Sequence, residues 1–134
     1  MEKLERLAPV EWEIMEGIWR LGGAPTVREV WEHLYPAGEK AYTTVQTMMN
    51  NLEKKGYLRR QKIGLVNFYT PLLERERAVR TEANDLLSRV FRGSVTSMAT
   101  HLINIREMTL EDLESIRAIL ESRAGELKGE RDDG

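Results

Sequence analysis

Apolar residues recur with a helical period in three successive segments near the start of the chain. Trp12, Met15, Ile18 and Trp19 fall at i, i+3, i+6 and i+7 between Pro9 and Leu21, the spacing of one helical stripe. Pro9 sits at the first helical position, where proline is tolerated, and Gly22-Gly23 supplies a stop. Thr26-Val27-Arg28-Glu29 is a capping-box pattern that opens a second helix. Val27, Val30, Trp31 and Leu34 form its stripe, and Pro36 to Gly38 ends it. A third helix is expected from about Thr43 to Lys55, ending at Gly56, with Val45, Met48, Met49 and Leu52 at i, i+3, i+4 and i+7. The period then changes. LRRQKIGLVNFYTP reads as two short strands around Gly64, a hairpin closed by Pro71.

Beyond Pro71 the helical period returns. Leu72, Leu73, Val79, Ala83, Leu86, Leu87, Val90 and Phe91 follow it until Arg92-Gly93-Ser94 breaks it. Ser94 is a good N-cap for a helix carrying Val95, Met98, Ala99, Leu102 and Ile103. Thr109 to Asp112 opens a last helix with Leu113, Ile116, Ile119, Leu120 and Leu127 on its apolar side. The tail GERDDG, residues 128–134 with Lys128, is expected to be disordered. The predicted fold is mainly α with a small β-hairpin: a winged helix-turn-helix over residues 1–71 and a helical dimerisation arm over residues 72–127. In that fold the third helix enters the major groove of DNA and the hairpin is the wing.

The far face of the third helix is the unusual feature. Thr43, Gln46, Thr47, Asn50 and Lys54 line it, with Thr44 on its shoulder. Threonine and asparagine are mediocre helix formers, and Lys or Glu would solvate an exposed face more cheaply. Short neutral groups that both donate and accept suit base edges. Gln or Asn pairs with adenine N6/N7, and a Thr methyl meets a thymine methyl. A competing reading makes Thr43 the N-cap and Gln46 its capping-box partner, which would take both out of base reading. The tyrosines Tyr42, Tyr57 and Tyr69 read as packing groups, and Trp12, Trp19 and Trp31 as core anchors.

Charge sharpens this picture. The net charge of the 134 residues is −2, yet residues 40–62 hold six cations against one anion, and residues 107–134 hold nine anions against four cations. The basic segment suggests a local polyanion footprint. Lys54, Lys55, Arg59, Arg60 and Lys62 are the candidate contacts to DNA phosphates, which set affinity and register but not sequence. Arg59 and Arg60 alternate along a strand, so one of them faces the DNA.

Other chemistry finds little support. There is no cysteine, which excludes disulfides and thiolate chemistry. His33 and His101 are the only histidines and lack metal-pair spacing. No glycine-rich phosphate loop follows a strand, so neither an enzyme nor a cofactor is expected. No signal peptide and no run of about 18 apolar residues is present, and a cytoplasmic location without membrane insertion is the expectation.

EWEIMEGIW, TVREVWEHL, AYTTVQTMMNNLEKKGYL and a wing ending FYTP closely resemble the BlaI/MecI-type penicillinase repressor family. FRGSVTSMATHL and MTLEDLESIRAIL resemble its C-terminal half, so the likeness runs from about Leu7 to Leu120. The resemblance implies a dimeric repressor that binds palindromic operators. It places the recognition face at Thr43, Thr44, Gln46, Thr47 and Asn50 and the wing at about Arg59 through Tyr69. This sequence departs from the family in three ways. Its wing tip is Gly64-Leu65 where the family commonly has Gly-Arg, which limits the wing to phosphate contact. His101-Leu102 stands where β-lactam-responsive members have a cleavable Asn-Phe pair, so that cleavage is not supported. The cysteines of the copper-responsive branch are missing.

The expected partners are therefore double-stranded operator DNA and a second copy of the chain. Leu87, Phe91, Leu102, Leu113, Ile116 and Leu120 are the expected dimer contacts. The rival reading is a winged-helix protein-interaction module without DNA binding, which gains if Arg59, Arg60 and Lys62 pair internally with carboxylates.

Overall fold

The structure, a computed structural model, describes residues 4–133. Three helices come first: α1 (Pro9–Leu21), α2 (Val27–Leu34) and α3 (Tyr42–Lys54). Strands β1 (Leu58–Ile63) and β2 (Val66–Pro71) follow, then α4 (Arg75–Arg89), α5 (Val95–Ile103) and α6 (Leu110–Asp133). This is a winged helix-turn-helix followed by a helical arm. Contacts divide the chain into two units between Asn84 and Asp85, inside α4.

In the first unit, α1 buries Ile14, Met15 and Ile18; α2 buries Val27 and Val30; α3 buries Val45, Met49 and Leu52. Tyr57, Leu58 and Tyr69 complete this core from the base of the hairpin. Trp12 and Trp19 are half-buried at its margin and meet edge to face at 5.8 Å. The capping box of α2 forms as its pattern predicts: Glu29 N donates to Thr26 Oγ1 and Thr26 N donates to Glu29 Oε1, both at 3.1 Å. The division of the chain lies later than Pro71 for a physical reason. Leu73 and Ala78 are buried with the winged-helix core, Trp19 Nε1 donates to Leu73 O at 3.1 Å, and Arg75 Nε pairs with Glu16 at 2.8 Å.

The exit of α3 is a Schellman turn. Gly56 takes φ +87°, its N–H donates to Glu53 O, and Tyr57 N donates to Leu52 O at 3.0 Å. Leu52 and Tyr57 are both buried, which locks the direction in which the chain enters β1. The antiparallel hairpin pairs Leu58 with Pro71, Arg60 with Tyr69, Lys62 with Asn67 and Ile63 with Val66. Gly64 and Leu65 make a two-residue turn in which only Gly64 has positive φ, +63°, the φ pattern of a type II′ turn.

In the second unit, Ser94 caps α5 by accepting from Ser97 N at 3.1 Å, and Thr109 and Asp112 cap α6 reciprocally. Residues 128–133 correct the expectation of a disordered tail, because α6 runs on to Asp133. Glu126, Lys128, Glu130 and Arg131 are good helix formers with no proline among them, and they carry the helix across Gly129.

Gly56→Ala should lower stability by about 1–2 kcal/mol, since a Cβ in the left-handed region opposes the turn that ends α3. Urea unfolding measures this, and an unchanged midpoint would reject the role given to Gly56.

Candidate nucleic-acid interface

The helix-forming pattern of α3 commits its buried stripe to the core, so the opposite face must be solvent. Thr43, Gln46 and Thr47 are exposed there, Lys54 is exposed in the last turn, and Thr44 and Asn50 are half-buried at the edges. Ala41 is the N-cap of α3 and makes no side-chain cap bond. Thr43 therefore lies inside the helix, and the Thr43–Gln46 capping box of the competing reading does not form. Tyr42 is exposed at the start of α3 and meets Trp31 edge to face at 5.8 Å. Trp31 Nε1 in turn donates to Lys40 O at 2.8 Å, which steadies the loop leading into the helix.

Asn50 is not wholly free. Tyr69 Oη donates to Asn50 Oδ1 at 2.8 Å. A bidentate pair with adenine uses the carboxamide oxygen as well as the nitrogen, and here one lone pair of that oxygen is already taken and the oxygen is turned toward Tyr69. Gln46 is exposed and makes no side-chain hydrogen bond among the described residues.

The five candidate cations separate into distinct environments. Lys55 is a correction. Its Nζ donates to Glu11 Oε1 at 2.6 Å and to Arg6 O at 3.1 Å, tying the end of α3 to the start of α1. Glu11 is 3% exposed, also accepts from Ala8 N, and leaves Oε2 buried without a partner among the described residues. A buried carboxylate needs that ammonium close by, so Lys55 serves the fold. Arg60 is half committed, with its Nε 3.4 Å from Glu53 Oε2 in a partly exposed pair. Lys54, Arg59 and Lys62 are exposed and form no ion pair among the described residues. Strand alternation puts Arg60 and Lys62 on the side of the hairpin that carries Tyr69, and Arg59 on the other.

The fold also brings together residues that lie far apart in the sequence. Tyr42, Gln46, Thr26, Arg28, Leu65 and Asn67 line an open cleft of about 310 Å³ between the start of α2, α3 and the wing. Leu65 at the wing tip is 95% exposed, and Ile63 and Val66 beside it are exposed too. A two-residue turn that forces one side chain outward was the available signal. Among the described residues no cluster of His, Asp or Glu is arranged to hold a metal ion, and no helix is long and apolar enough to cross a membrane.

Residues 7–122 match the profile of the penicillinase repressor family. The chain belongs to that family. It is therefore a transcriptional regulator of the DNA-binding repressor class and not an enzyme. It is 28% identical over 128 residues to the penicillinase repressor of Bacillus licheniformis, covering 96% of this chain and 99% of that one. It is 29% identical over 127 residues to the transcriptional regulator BlaI of Mycobacterium tuberculosis, with 93% and 91% covered. A solution structure of the DNA-binding domain of the repressor BlaI aligns with 33% identity and a TM-score of 0.49, over 56% of this chain and 90% of that one.

Lys55→Met should destabilise the protein by about 2–3 kcal/mol, because it strands the Glu11 carboxylate. Urea unfolding of the variant measures the cost, and a loss well below 1 kcal/mol would contradict the structural role.

Proposed function

We propose that the chain is a cytoplasmic homodimeric repressor that binds a palindromic operator, with α3 in the major groove of each half-site. The single observation that carries this reading is the solvent-facing row Thr43, Gln46 and Thr47 on a helix whose other face is locked into the core. Such a row has no place in the core, and it displays donors, acceptors and methyl groups of the kinds that base edges meet. Thr44 and Asn50 flank it. Lys54, at the end of the helix, and Arg59 and Lys62, on the wing, supply phosphate contacts. Arg60 joins them by exchanging its partly exposed carboxylate partner for a phosphate, which costs little because pairs at the surface contribute about 1 kcal/mol or less. The rival interaction-module reading loses ground, since Arg59 and Lys62 have no internal carboxylate partner among the described residues.

The dimer reading rests on the arm. Leu102, Leu113 and Leu120 are exposed, with Leu120 at 61%, while Leu87, Phe91 and Ile116 are only half-buried. Among the described residues, neither α5 nor α6 buries any fully. Helices with uncovered apolar sides are marginal alone, and a second copy would cover both sets at once. Joining two half-site contacts in one molecule raises operator affinity by about 10²–10⁴-fold through effective concentration. Weakening the dimer would accordingly release the operator.

Selecting bound fragments from random duplex DNA at fixed salt tests the reading directly. A palindromic sequence is expected, and binding without sequence preference would overturn it. Lys62→Ala should weaken all sequences alike and flatten the slope of log K against log salt by about 0.9; an unaltered slope removes Lys62 from the phosphate contacts. Ile116→Glu should weaken self-association at least tenfold, as the loss of roughly 1.5–3 kcal/mol of apolar burial requires. Light scattering across a concentration series reads this, and an unchanged mass profile would give the arm another task.

A further inference from the structure

Tyr69 is 1% exposed, and its backbone N–H donates to Pro25 O at 3.0 Å, so the wing strand and the start of α2 hold its ring in one place. Its hydroxyl reaches through the core margin to Asn50 Oδ1 at 2.8 Å. Burial pushes that hydroxyl above the usual tyrosine range, while the charge and donor groups of Arg60, its cross-strand partner, pull it back. The phenol therefore keeps its proton at neutral pH. The phenol donates its proton to Asn50 Oδ1, and the neighbouring Arg60, which has donors only, offers that proton no competing acceptor. The direction of this relay fixes the carboxamide: its oxygen faces Tyr69, and its NH₂ group is left for whatever meets α3.

We infer that Asn50 reads guanine, and that Tyr69 is the positioning residue that makes it do so by holding the carboxamide oxygen and presenting only the NH₂ donors to the major groove. This rests on the DNA-binding reading above. A group that only donates needs a base edge that only accepts. Guanine shows two adjacent acceptors, N7 and O6, for the two amide hydrogens, whereas thymine has the single acceptor O4 beside its methyl group, adenine puts the N6 donor beside N7, and cytosine offers a donor. Gln46, one turn earlier and unrestrained, keeps both halves of its carboxamide and remains suited to adenine. Two amide side chains on one helix face thus acquire different base preferences from a single buried hydroxyl.

The experiment is selection from random duplexes, run in parallel with the full-length wild-type chain, Asn50→Ala and Tyr69→Phe, with thermal unfolding of each. The wild type should select a G·C pair at a position whose preference Asn50→Ala abolishes. Tyr69→Phe keeps the ring but frees the carboxamide, and that position should move toward A·T by about fivefold or more. Replacing the selected guanine with 7-deazaguanine should weaken the wild type and leave Asn50→Ala unaffected, a measurement that stands even if Tyr69→Phe does not fold. An Asn50-dependent position that is A·T in the wild type would overturn the inference. So would a folded Tyr69→Phe protein with unaltered preference, or equal 7-deazaguanine sensitivity in wild type and Asn50→Ala. A wild type with no sequence preference at all would overturn the DNA-binding reading along with it, whereas selective binding indifferent to both substitutions would overturn this inference alone.

Discussion

The burial of Val45, Met49 and Leu52 is the constraint on which the rest of the molecule depends. A helix thirteen residues long cannot turn two faces inward at once. Once this stripe fills the space against α1 and α2, the orientation of every other side chain on α3 is settled to within rotamer freedom. The polar row is then forced into solvent. The Schellman turn at Gly56 and the Lys55–Glu11 pair clamp the far end of the helix, and the Trp31–Lys40 bond steadies its approach. The proposed recognition surface is therefore held in place by its packed back, the condition for reading geometry instead of adapting to it.

Electrostatics in this region follow burial more closely than sequence position. Lys54 and Lys55 are neighbours, yet one is exposed at the end of the helix face and the other closes a bond with a carboxylate that is almost fully buried. Rotation by one residue, about 100°, separates these tasks. The wing repeats the lesson with period two: Arg60 shares a side with Tyr69 and pairs with Glu53, while Arg59 faces the other way. A local excess of cations is thus partly structural. Lys54, Arg59 and Lys62 are exposed cations with no ion pair among the described residues, and they carry the proposed phosphate contacts.

The arm has the opposite economy. Its helices are capped at Ser94 and at Thr109–Asp112, so local signals suffice to start them. Their apolar sides lack the dense cover that the winged-helix core enjoys. The proposed dimer joins these facts, because a regulator that must let go of DNA benefits from a contact whose strength varies with concentration and partner. The wing tip is apolar, with Leu65 almost fully exposed, so the cations of the wing lie on the strand behind it.

The one-dimensional pattern determined a great deal here. The helix, helix, helix, hairpin order, the capping box of Thr26 and Glu29, the turn at Gly64 and the wet row on α3 all follow from period, capping chemistry and glycine placement, which are local. Tertiary structure alone decided what depended on distant partners. Lys55 meets Glu11 across 44 positions, and Tyr69 meets Asn50 across 19. The end of the first unit at Asn84 reflects Leu73, Ala78 and Arg75 finding partners on the earlier core and on α1. A pattern of polarity reports which face of an element is buried. It does not report which polar group waits on the other side of the core, and that is the information that tied Lys55 to Glu11 and set the Tyr69 hydroxyl against Asn50.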